Sequence, residues 1–339
     1  MKRRTALVLA LVPLLGACAA PLPVPEPEAV PAVAPAALES VQVDRVLTDL
    51  HAVLDDADAA GVAAAGAEDP GAARTAAVDT LGARAYGPAE QIRQAQYLLA
   101  ATTGADALTT IPSGAQTVVD PATTTWPRVL MVVTDPSEDL QAPLLLTLVQ
   151  EDPRSAYKLW AWERLFGGVE LPATTLPGVG SDPVPADGGT ATLTPEETID
   201  QYVDVIAHGT ESEYFDGFTD TPLQQRIAEQ RSAWSAAVGQ GTFTETYQPL
   251  DTGPWALATA DGGAIVVGGF GGLTTLTLAD STLKVADPAT TTLLGKDTIT
   301  KNLNLAWTVT VAFSVPPAGS TDPVTVLGAE YALVAASGE

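Results

Sequence analysis

The stretch LNLAWTVTVAFSV, residues 303–315, decides the fold. Leu303, Leu305, Trp307, Val309, Val311, Phe313 and Val315 alternate strictly with small or polar residues. Side chains along a strand point to opposite faces in turn, so this pattern is a long strand with one strongly apolar face. Such a face must be covered, and the residues upstream supply helices to cover it. Thr194-Pro195-Glu196-Glu197 reads as a capping box with proline at the first helical position. It opens a helix to about His208 that turns Ile199, Tyr202, Val203 and Ile206 inward. Thr221-Pro222-Leu223-Gln224 repeats the device and opens a helix to about Val238, burying Leu223, Ile227, Trp234 and Val238. Strands surround the decisive stretch. Phe243–Gln248 is one, and Trp255–Thr259 turns through Asp261-Gly262-Gly263 into Ala264–Val267. Leu273–Leu278 and Val324–Ala335 complete the set.

The first half reads on the same plan. Val43, Val46, Leu47, Leu50, Val53 and Leu54 form one stripe of a helix over 41–60, with Ser40 as its cap. Asp69-Pro70 opens a second helix through about Arg84, and Gly87-Pro88 is read as the end of the helical part. Strands are then expected at 91–101, Val129–Thr134 and Leu144–Gln150. Glu151-Asp152-Pro153-Arg154 makes a hairpin loop into Tyr157–Trp162, with Trp160 and Trp162 on one face of the strand. Residues 169–193 carry Pro172, Pro177, Gly178, Gly180, Pro183, Pro185, Gly188 and Gly189 without periodicity, which marks a linker. The expected fold is therefore α+β in two tandem domains, 38–168 and 194–339, each with helices followed by a curved antiparallel sheet.

Ahead of the first domain, Lys2, Arg3 and Arg4 precede a short apolar run, Ala6–Leu15. That layout is an export signal over residues 1–18, too short for a membrane span. Residues 19–37 hold Pro21, Pro23, Pro25, Pro27, Pro31 and Pro35 and favour an extended stalk. At about 3.1 Å per residue it reaches roughly 60 Å. The formal charge of −25 becomes −28 without Lys2, Arg3 and Arg4. So acidic a surface is repelled by nucleic-acid phosphates and by anionic lipid, which argues against nucleic-acid partners.

Leu15-Gly16-Ala17-Cys18 resembles the bacterial lipobox, in which a cysteine after small residues is lipidated and becomes the first residue of the mature chain. Cys18 is the only cysteine, so it has no intramolecular disulfide partner. The resemblance implies a diacylglyceryl (palmitate-type) anchor on Cys18 and a place on the outer face of the cytoplasmic membrane. Two acyl chains, at about 0.8 kcal/mol per buried methylene, anchor stably. The helix–helix–sheet order resembles the nuclear-transport-factor-2-like, cystatin-like roll. The string Gln150–Trp160, with Gly87-Pro88-Ala89 and Thr259–Gly263, resembles a family of actinobacterial lipoproteins that carries no known activity.

The candidate sites are few. His51 and His208 sit on different helices, and H-x-x-x-H and C-x-x-C are absent, so neither a metal nor a cofactor is expected. Asp55-Asp56-Ala57-Asp58 lacks the glycine and the bidentate glutamate of a calcium loop and reads as a solvated helix face. Gly268-Gly269-Phe270-Gly271-Gly272 is followed by strand rather than a helix N-terminus, so a turn or bulge is expected there, not a phosphate loop. No G-x-S-x-G elbow exists, and Ser181 lies in the linker. One constellation remains: Tyr202, His208, Tyr214, Trp234, Tyr247, Trp255 and Trp307 either line a cone between helices and sheet or fill an ordinary aromatic core. The leading expectation is an envelope protein that binds a partner protein or a small apolar ligand. The alternative is a carrier or an enzyme, with Asp204 or His208 as general base.

Overall fold

The computed structural model describes residues 34–137, 141–176 and 178–339. The export signal, Leu15–Cys18 and the stalk as far as residue 33 lie outside the described residues. In chain order come α1 (Ser40–Ala63), α2 (Pro70–Leu81), α3 (Pro88–Thr103), β1 (Ala115–Val119), β2 (Arg128–Thr134), β3 (Leu144–Gln150) and β4 (Lys158–Leu165). The second half holds α4 (Pro195–His208), α5 (Pro222–Ala237), β5 (Thr242–Pro249), β6 (Trp255–Ala258) and β7 (Ala264–Thr277). It ends with β8 (Leu283–Lys284), α6 (Pro288–Leu294), β9 (Thr298–Ile299), β10 (Asn302–Val315) and β11 (Thr325–Gly338).

The α+β class holds, but the sheet is shared. Nine antiparallel strands run in the order β1-β2-β3-β4-β11-β10-β7-β5, with β6 beside β7. Gly328 and Ala329 of β11 pair with Leu165 and Arg164 of β4, so two separate sheets are replaced by one. The described residues from 34 to 339 form one compact unit. Three buried clusters explain why. Helices α4 and α5 cover one face of β7, β10 and β11 around Tyr202, Phe270 and Phe313. Helices α1–α3 cover β2–β4 around Leu50, Ile92 and Trp162. The third cluster joins Met131, Leu145 and Trp160 of the first half to Leu257, Val267 and Leu327 of the second. Strands far apart in sheet order meet there, so the sheet curls on itself. The stretch 169–193 is tied down on both sides, by bridges from Ser181 to Pro121, Pro183 to Leu257 and Ala191 to Pro317.

Several local expectations change. The stretch read as a strand at 91–101 is helix α3, and Pro88 starts that helix rather than ending one. Proline suits a first helical position because no N–H is needed there. Its buried face includes Arg93 and Gln96, whose polarity hides the helical period. Helix α2 stops at Leu81 with Asp69 accepting from Ala72 N–H at 3.0 Å. The cap of α1 is Glu39, whose N–H donates to Gln42 Oε1 at 2.8 Å, not Ser40. Trp160 and Trp162 point to opposite faces, into the third and second clusters respectively. A register shift pairs Thr147 with Ala161 and Leu148 with Leu159, leaving Trp160 as the extra residue of a bulge.

The glycine run 268–272 is neither turn nor bulge. It lies inside β7, whose pairing with β10 is uninterrupted from Ala264 to Thr277. The glycines make room. A Cβ at Gly268 would meet Ile199 Cδ1 at 2.3 Å, so α4 packs directly on the strand backbone. At Gly272 it would meet Tyr247 Cε1 at 3.0 Å. The first helix box forms as read, with Thr194 Oγ1 accepting from Glu197 N–H at 3.0 Å and Glu197 Oε2 from Thr194 N–H at 2.9 Å; the second is a cap only, since Thr221 Oγ1 accepts from Gln224 N–H at 3.3 Å but the Thr221 N–H goes to Asp220 Oδ1 at 2.9 Å.

Candidate functional site

Strand β4 accompanies β11 only at Gly328 and Ala329. Beyond that point the flank of β11 meets α3 of the first half, and α5 and α6 close over it. The result is a cleft of about 430 Å³. Its wall is aromatic. Tyr331 stacks on Trp307 with ring centres 4.6 Å apart and planes 5° apart. The Arg226 guanidinium lies over the Tyr331 ring, 5.0 Å from its centre, a cation–π contact. The Tyr331 hydroxyl donates to Gln230 Oε1 at 2.6 Å. Trp234, half-buried on α5, completes this side, and Gln96 and Leu99 of α3 stand opposite.

The aromatic wall is fixed from behind. Trp307 Nε1 donates to Thr274 Oγ1 at 3.2 Å, and the Thr274 hydroxyl donates to Glu245 Oε1 at 3.4 Å. Arg231 grips the other oxygen of Glu245 at 2.6 Å and donates to the Ile206 carbonyl at 2.8 Å. Helix α5, strand β5 and helix α4 thus share one polar chain that sets the indole plane. At the floor, Glu330 Oε2 accepts from Trp162 Nε1 at 3.1 Å. Burial raises the Glu330 carboxyl above its ordinary range, while the Trp162 N–H and the charges of Arg164, Arg93 and Arg226 pull it back down. A Thr102–Thr292 hydroxyl contact at 3.0 Å and a Thr308–Gln91 bond at 3.2 Å hold α3 against the second half. The cleft is a preformed, polar-rimmed aromatic groove, a shape suited to binding.

Of the seven residues singled out in the sequence, the structure brings Trp234 and Trp307 together in this cleft. Tyr202 is buried against Phe218 and Phe313, at 5.3 and 5.0 Å between ring centres, and helps fill the second-half core. Tyr247 packs edge-on against Phe270. Trp255 lies in the shared cluster, edge-on to Trp160 at 6.3 Å. Tyr214 sits in the turn between α4 and α5, its N–H on Ser212 Oγ. His208 is exposed at the end of α4 and pairs with Asp204 at 2.9 Å, a favourable contact at a helix C-terminus. Asp204 also accepts from Ser212 Oγ at 2.5 Å. Sequence reading missed Arg226, Glu330 and Tyr331. The signal for Tyr331 is its cross-strand place: Val309 opposes it on β10, one position along the apolar face from Trp307.

Among the described residues, no three His, Cys, Asp or Glu side chains are gathered to hold a metal ion. No helix among them is long and apolar enough to cross a membrane. No curated protein and no solved structure matches the chain. A family described only as a domain of unknown function (DUF8094) matches residues 71–338, from α2 through the last strand and including most elements that build the cleft. The chain therefore belongs to the DUF8094 family.

Proposed function

We propose that this protein is an exported lipoprotein, anchored through Cys18, that binds a ligand of the cell envelope in the cleft between α3, α5, α6 and β11. The observation that carries the binding reading is the aromatic wall of Trp307 and Tyr331, braced by Arg226 and by the Thr274–Glu245–Arg231 chain. A groove ordered before any ligand arrives loses little freedom on binding. Each half is on this reading a nuclear-transport-factor-2-like roll, the two joined edge to edge through β4 and β11, in an actinobacterial lipoprotein. What supports the anchor is the leader itself, with one cysteine placed after Gly16-Ala17.

Native mass spectrometry of the full-length protein, extracted in mild detergent, tests the cleft. The expected result is an additional mass that disappears in Trp234→Ala and Arg226→Ala. An adduct that survives both substitutions moves the binding elsewhere, and an unmodified mass throughout removes the small-ligand reading. Metabolic labelling with palmitate tests the anchor separately. Label is expected on the parent protein and lost in Cys18→Ser; equal labelling of both overturns the lipobox assignment.

A further inference from the structure

Strand β11 has a free flank inside the cleft. Gly328 and Ala329 pair with β4 on that side, and no strand continues the pairing beyond them. On the same flank the Phe166 N–H donates to the Leu327 carbonyl at 2.9 Å. Backbone groups of successive strand residues point to opposite sides. Counting on from Leu327, those of Ala329, Tyr331 and Leu333 therefore turn away from β10. The far end of the strand agrees with this count. Val334 is the extra residue of a bulge, and beyond it the Glu339 N–H points back to β10, donating to the Asn302 carbonyl at 3.0 Å.

Ala329 is matched by Arg164 of β4. Among the described residues, no hydrogen bond joins the N–H or C=O of Tyr331 or Leu333 to another element on this flank. Both residues line the cleft, and Leu333 is buried. Backbone groups so placed call for partners, because an unpaired one away from water is costly. The two sides of the strand end differ. Tyr331 and Leu333 belong with the core under α4 and α5, and Ala332 with the core under α1–α3.

We infer that the cleft receives an extended apolar peptide segment of a partner protein, laid beside β11 as one further strand in the lane that β4 leaves. This rests on the cleft being the binding site and names the class of its ligand. The edge offers N–H and C=O groups in alternation, a row of partial charges that another extended backbone matches residue for residue. Tyr331 to Leu333 spans about 7 Å, so three peptide residues cover the unpaired groups. The cleft, of about 430 Å³, is large enough for a ligand of that size. Alternate side chains of the added strand fall on opposite walls, Trp234 on one and Ile92 and Leu99 on the other. Both walls are apolar, which selects apolar residues in the peptide. A sugar or an acyl chain could rest on the same walls but carries no donors and acceptors at peptide spacing, and it would leave the edge unpaired.

The test is selection of phage-displayed randomised heptapeptides on the full-length protein in nanodiscs, with empty nanodiscs removing background binders. Apolar sequences are expected to be enriched. N-methylation of a central amide of an enriched peptide removes a donor and keeps every side chain, and is expected to weaken binding about tenfold. Amide hydrogen exchange over residues 330–334 is expected to slow in the complex. Trp234→Ala on one wall and Leu99→Glu on the other, both at half-buried positions, are each expected to weaken the peptide at least about tenfold. Failure to enrich any peptide overturns the inference, and so do binders that tolerate N-methylation at every position or keep their affinity in both variants. An additional mass in native spectra that depends on Trp234, without peptide binding, removes the peptide and keeps the cleft; absence of both removes both.

Discussion

Replacing Glu163 by glutamine is expected to stabilise the protein at pH 8 by about 2 kcal/mol and to leave it nearly unchanged at pH 4.5. Glu163 sits on β4 opposite Leu145, on the face that builds the core shared by the two halves, and is fully buried. Neither carboxyl oxygen has a hydrogen-bond partner. Burial raises this carboxyl well above its ordinary range; the Thr310 hydroxyl offsets part of that, and the negative Glu330 adds to it. The Thr310 hydroxyl is given to the Trp162 carbonyl at 3.3 Å, which leaves both carboxyl oxygens unpaired. The sign follows from proton counting. Below the unfolded value of 4.5 both states hold the proton. Above it the unfolded chain releases its proton and the folded protein does not, so stability falls as pH rises towards the folded pKa. Glutamine cannot ionise, and it removes that slope. Glu163→Leu should gain stability at both pH values, because it also removes the unmatched polarity. Denaturant unfolding at pH 4.5 and pH 8 checks both variants. A Glu163→Gln protein less stable than its parent at pH 8 would mean that the native carboxylate is ionised and held.

The parts of the fold legible in the sequence are those in which one residue type does one local task. Thr194 and Thr221 cap helices with their hydroxyls, and the odd positions of β10 pack as their alternation demands. The failures have a common cause: the deciding contact comes from a distant part of the chain. Arg93 and Gln96 interrupt the apolar period of 91–101, yet they are buried because Arg93 answers Asp58 on α1 and Gln96 answers Thr109 beyond α3. Gly268 reads as a turn residue, yet it is a strand residue whose missing side chain admits Ile199. The bulge that turns Trp160 away from Trp162 is set by the β3 register, which no periodicity records. The cleft is less legible still. Its aromatic wall belongs to α5, β10 and β11, and its opposite side to α3. It exists only because the two halves share a sheet, and that pairing is written in two residues of β11, Gly328 and Ala329. At Gly328 even a Cβ would meet the Arg164 carbonyl oxygen at 2.5 Å.

Gly61→Ala is the second substitution with a large expected effect, a loss of about 2–3 kcal/mol, and here two effects oppose each other. Gly61 lies inside α1, where alanine is the better helix former by about 1 kcal/mol. A Cβ at that position, however, would meet Tyr97 Cδ1 at 2.3 Å and Cγ at 2.6 Å. Tyr97 is 1% exposed, and its hydroxyl is tied to Asp58 Oδ1 at 2.8 Å, so the ring cannot swing clear without breaking that bond. Moving the ring also removes one of the groups that share Asp58 with the buried Arg93, at 3.4 Å. Overpacking costs about 1–3 kcal/mol, and a lost charge-assisted hydrogen bond adds about 1.5–3, so the clash outweighs the propensity gain. Gly66 is the internal control: it is exposed, and a Cβ there meets nothing within 4 Å. Gly66→Ala is expected to be neutral or stabilising by about 0.5 kcal/mol. If the Tyr97 ring is the cause, Tyr97→Leu in the Gly61→Ala background should restore part of the loss, whereas Tyr97→Leu alone should destabilise. Urea unfolding of the four proteins gives the coupling energy. Additive losses in that cycle would remove the contact between α1 and α3 as the explanation and leave helix geometry at Gly61 itself.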